Sequence, residues 1–197
     1  MTIRSLLAVV CLVSIVAWAV AQEQLPATRA TDISVEEGWY NVQLQPEPAE
    51  DYAGRGDLLV AMTHSIEVFE AAHQGGIFVS SCHSRVGEWF CYLKLDAIEV
   101  PSEHRVEFRA QFEDALNPQL LQAGVGGCIG GGSGLRYSYL DLALTDVHRA
   151  VPIIRQVLAS CRAPLRSWLL FYDDELAREW VGVYQQTPEP PMAAAED

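Results

Sequence analysis

Between residues 137 and 144 the chain alternates strictly. Ser138, Leu140, Leu142 and Leu144 fall on one side, and Tyr137, Tyr139, Asp141 and Ala143 on the other. That is the period of a strand with two chemically different faces. A second alternation over 88–95 sets Trp89, Cys91, Leu93 and Leu95 against Phe90, Tyr92 and Lys94. Helical spacing takes over at Phe108, Phe112, Ala115 and Leu116, with Ser102 placed as a cap and Pro118 disrupting the run ahead of a further turn with Leu120 and Leu121. A second helix follows Asp146 through Val147, Val151, Ile154, Val157 and Leu158, and Pro152 either kinks it or delays its start. SWLLFY at 167–172 predicts another strand, then a short helix over 173–180 and a short strand over 181–184.

Between the first helix and the tyrosine strand lie Gly124, Gly126, Gly127, Gly130, Gly131, Gly132 and Gly134. Glycine at this density predicts a strongly bent hairpin feeding the strand at 137–144. A phosphate-cradling loop would need a helix next, and a strand follows instead.

From Trp89 onward the order is strand, helix, strand, strand, helix, strand. This predicts an α+β fold, a ferredoxin-like split βαβ antiparallel sheet over 86–184 with both helices on one face. Residues 38–85 then form an N-terminal extension. It holds a strand at 39–44, a Pro- and Gly-rich loop at 46–56, and an element at 57–73. The spacing of that element suits a helix, although its LLVAM start also suits a strand. Residues 77–81 and 88–95 are expected to pair as a hairpin around 84–87. Residues 22–37 read as a linker and 185–197 as a disordered tail by composition.

Composition adds the compartment. Arg4, an apolar run over 6–16 and Ala19-Val20-Ala21 have the form of a signal peptide spanning 1–21, which predicts export to the periplasm or beyond and no membrane anchor after cleavage. In an oxidising compartment the remaining Cys82, Cys91, Cys128 and Cys161 predict two disulfides. Three connectivities exist. The expected hairpin favours 82–91, which leaves 128–161. The formal net charge of −13 repels phosphates and anionic lipid and attracts basic proteins.

No catalytic constellation emerges. His64, His73 and His83 near Cys82 fit no compact zinc spacing. Gly131-Gly132-Ser133-Gly134-Leu135 departs from a nucleophile elbow. The acids at 173–175 suit a solvated helix start better than a cation site. No cofactor is implied. An aromatic pattern stands out more sharply. Arg136-Tyr137-Ser138-Tyr139-Leu140 resembles the RNP1 stripe of RNA-recognition motifs, with Phe90 and Tyr92 beside it. Acidity, export and Asp141 on that face exclude nucleic acid. The same open face, Phe90, Tyr92, Tyr137, Tyr139 and Asp141, suits a protein partner.

The run GVGGCIGGGSGLRYSYLDLALTD, followed by a helix and SWLLFYDD, resembles small exported bacterial proteins similar to immunity proteins of toxin–immunity pairs, over about 102–174. That resemblance implies a ferredoxin-like fold and a partner-binding role, and an acidic, exported domain without catalytic machinery would suit a basic protein as that partner. An exported small-ligand binder or an unrecognised hydrolase is the alternative.

Overall fold

A computed structural model of the chain describes residues 30–192. The expected leader therefore lies outside the described residues. Eight strands form one antiparallel sheet: β1 Ala30–Glu36, β2 Trp39–Leu44, β3 Leu58–Thr63, β4 Trp89–Asp96, β5 Gly126–Gly134, β6 Tyr137–Leu144, β7 Ser167–Phe171 and β8 Trp180–Gly182. Their spatial order is β1-β2-β3-β5-β6-β4-β7-β8. Helices α1 Ile66–His73, α2 Ser80–His83, α3 Arg105–Ala123 and α4 Val147–Ser160 lie between the strands, with short 3-10 turns at Ser102–His104 and Asp174–Leu176.

The fold class expected from the sequence is thereby corrected. The sheet is not a small ferredoxin-like unit carrying an extension. β3 pairs with β5 from Leu58↔Gly134 to Thr63↔Gly130, so the N-terminal strands continue one eight-stranded sheet. The stretch at 57–73 divides into a strand and a helix, and β1 occupies part of the presumed linker. The expected strand at 77–81 is instead a lead-in to α2, so the hairpin around 84–87 does not form.

The glycine run is the first arm of the expected hairpin, with β6 as the second. β5 is a strand paired on both sides, with β3 and β6. A Cβ at Gly130, Gly131 or Gly132 would meet the carbonyl oxygens of Met62, Tyr139 and Val60 at 2.5, 2.4 and 2.5 Å. Only glycine permits backbones that close. Pro118 does not interrupt α3, which runs on through Leu120 and Leu121 to Ala123. It sits on the exposed side, where water can take the carbonyl bond its missing N–H leaves open. Ser102 opens a 3-10 turn and makes no cap, whereas Asp146 accepts from Arg149 N at 3.0 Å and caps α4.

The alternating strands place two different cores on the two sides of the sheet. Cys91, Leu93, Leu95, Leu140, Leu142 and Leu144 pack under α3 and α4 through Phe112, Leu116, Leu120, Ile154 and Leu158. On the opposite side Tyr92, Tyr137, Tyr139, Trp168 and Leu170 pack against Val42, Leu44, Tyr52, Leu58, Ala61 and Phe69. The cover on that side is α1 and the irregular segment 46–57, hereafter the strap. The tail is anchored as well. Thr187 is buried, and Trp168 Nε1 donates to the Pro188 carbonyl at 2.6 Å, which corrects the disordered reading for the described residues 185–192.

Candidate functional site

The site grows from β4 and β6, whose second faces carry rings where the first carry aliphatics. Tyr92 and Tyr139 stand side by side, with centroids 6.1 Å apart, and Tyr172 closes in at 5.1 Å from Tyr92. The strap inserts Arg55 among them. Its Cζ lies 5.2 Å from the Tyr139 centroid and 5.7 Å from those of Phe69, Tyr92 and Tyr172. Ring faces attract a guanidinium most strongly where water is absent. Arg55 Nη1 pairs with Asp141 Oδ1 at 2.9 Å, both side chains being almost fully buried. It also donates to the Tyr172 hydroxyl, which donates in turn to Asp141 Oδ1 at 2.9 Å. Burial works against the charged guanidinium, but Asp141 together with Tyr172, Tyr139 and Tyr92 outweighs it and raises the Arg55 pKa.

Asp57 holds the other end of the strap. It is fully buried and receives the Tyr139 hydroxyl and, through Oδ2, the backbone N–H groups of Arg136 and Tyr137 at 2.8 Å. Its carboxylate thus satisfies the turn between β5 and β6. Beside it Lys94, also fully buried, donates to the Tyr52 carbonyl and lies 4.1 Å from the Tyr137 centroid. Burial lowers the Lys94 pKa to about 8, with Asp57 and Asp51 pulling the other way. At the rim, Asp51 accepts from Arg166 Nη2 at 2.6 Å and from the Tyr137 hydroxyl, and Asp96 pairs with Arg136 and Arg166 at 3.0 Å each.

This geometry corrects the expected partner face. Phe90, Tyr92, Tyr137, Tyr139 and Asp141 do lie on one side of the sheet, but all five are buried. The strap and α1 cover Tyr92, Tyr137, Tyr139 and Asp141, and Phe90 packs with Phe78 and Val68 in an adjoining cluster. The expected disulfides are absent too, and all four cysteines are free thiols. Cys91 faces the helix-side core, whereas α2 follows Phe78 and carries Cys82 to solvent on the other side. Cys128 and Cys161 both touch the helix-side core without bonding. Burial raises the Cys91 thiol and pushes Cys128 up to about 12, leaving neither a ready thiolate.

Arg55, Asp57, Lys94 and Tyr172 are not singled out from the sequence as site residues, and His73 is weighed there only as a metal ligand. Lys94 was the legible one, a lone cation among rings on an alternating strand. Each of His64, His73 and His83 spends its ring on a separate aromatic, namely Trp39, Phe69 and Phe78. Among the described residues no group of three or more His, Cys, Asp or Glu side chains is placed to hold a metal ion, and no helix is long and apolar enough to cross a membrane. A recess between α4 and β7–β8, lined by Ile154, Leu169 and Val181, is shallow and apolar. The charged groups of the cluster serve one another; what they do chemically is hold the strap down. No protein-family model, no curated protein and no solved structure matches this chain.

Proposed function

We propose that the protein is an exported, non-catalytic binding protein whose partner is a basic protein, engaged by strand addition along β1. The observation that carries this reading is the edge itself. Among the described residues β1 pairs only with β2 and stands at the end of the sheet, so its outer backbone is a template for another strand. Ile33 and Val35 are 42% and 63% exposed on one face of it, and Asp32 and Glu36 are exposed on the other. With a chain charge of −13, a basic segment is the complementary occupant. Neutralisation of a basic toxin, the role implied by the resemblance to immunity proteins, is one form of such binding.

The test is reconstitution. A partner recovered with the tagged mature chain is purified and its affinity measured against salt. Affinity should fall steeply as salt rises, and Val35→Pro should weaken it tenfold or more while circular dichroism stays unchanged. An acidic partner, or binding indifferent to both salt and Val35→Pro, overturns the reading.

A further inference from the structure

His73 ends α1 directly beneath the strap. Its ring stacks on Phe69 at 4.0 Å and 18°, and Nδ1 lies 2.7 Å from the Phe69 carbonyl oxygen. That contact makes Nδ1 the donor and leaves Nε2 as an acceptor. Nε2 is sealed from solvent and has no partner. Arg55 stands over the same Phe69 ring, and its own Nε and Nη2 are likewise buried without partners. Arg55 is in turn surrounded by Tyr92 from β4, Tyr139 and Asp141 from β6, and Tyr172 after β7. Asp141 already holds both Arg55 and Tyr172. Glu67 and Glu70 of α1 itself are exposed.

We propose that His73 is an acid-operated latch: its protonation sets a second cation against Arg55 and releases the strap and α1 together from the sheet. No free carboxylate in the cluster receives the new charge. Burial and Arg55 hold the closed imidazole down to about 3, against 6.5 when it is released. The open form therefore binds more protons between these values, and opening is favoured as pH falls through that window. The two cores lie on opposite sides of the sheet, so α3 and α4 keep their packing when the cover lifts.

Hydrogen–deuterium exchange of the full chain at pH 7.5 and 5.0, corrected for intrinsic rates, tests this. Protection over 46–57 and 66–73 should fall about thirtyfold, from the difference between the two titration points, while α3 and α4 stay protected. His73→Phe keeps the stack, removes the titration and should abolish the difference. A second measurement on the wild-type chain is the NMR titration of the His73 ring, which should stay neutral at pH 5 in the closed form. Equal loss of protection over α3 and α4, persistence of the effect in His73→Phe, or ordinary titration near pH 6.5 in the closed form would each overturn the latch.

Discussion

Arg55 and Asp141 form a pair that neither residue could leave cheaply. Removing one partner of a buried pair strands the other charge, whereas replacing both with apolar groups of similar volume is often tolerated. Arg55→Met should therefore cost about 3–5 kcal/mol in urea unfolding, and Arg55→Met combined with Asp141→Leu should cost clearly less. A single-variant loss under about 1 kcal/mol would mean the cage contributes little. Asp141 was visible in the sequence because it interrupts a ring-bearing face, and its partner was not. Arg55 sits between Gly54 and Gly56 in a loop of mixed charge, and nothing local distinguishes it from a solvated cation. Its importance is created by contacts some eighty residues away along the chain, which a single sequence does not display.

Among the elements, β4 and β6 were legible because their two faces differ in chemistry. β5 was not. Glycine carries no side chain to show a face, and its role here depends on the carbonyls of Met62, Val60 and Tyr139 from two neighbouring strands. Gly131→Ala should cost on the order of 3 kcal/mol or prevent folding, since the new methyl meets backbone that cannot step aside. Gly76→Ala, where an added Cβ has open space, should change stability by less than about 0.5 kcal/mol. Thermal unfolding of the two variants side by side decides the matter, and equal midpoints would show that β5 is not so tightly held. The same lack of faces leaves β5 legible only as one arm of a hairpin with β6, and its second partner, β3, has no signal in the glycine run.

At the scale of the molecule, the sheet is a partition with an aliphatic core under two helices and a polar, aromatic one under the strap. The tail closes the second. Truncation after Tyr184 removes the Pro188 carbonyl that receives Trp168 Nε1 and uncovers a fully buried indole. Stability should drop by about 1–3 kcal/mol, with a red-shifted tryptophan emission; an unshifted spectrum would show the tail to be dispensable. Composition alone suggested a free tail because prolines and acids look the same whether or not one carbonyl among them is held.

The pairing of β3 with β5 also sets a timetable. β3 ends at Thr63 and β5 begins at Gly126, so a ribosome adding roughly 5–20 residues per second makes the first three strands wait several seconds for their neighbour. Throughout that wait the meander β1–β3 is open along both sides, with Val42, Leu44 and Ala61 in water and Arg55 without Asp141. The nascent chain is then most exposed to mispairing, and a holding chaperone would have most to protect.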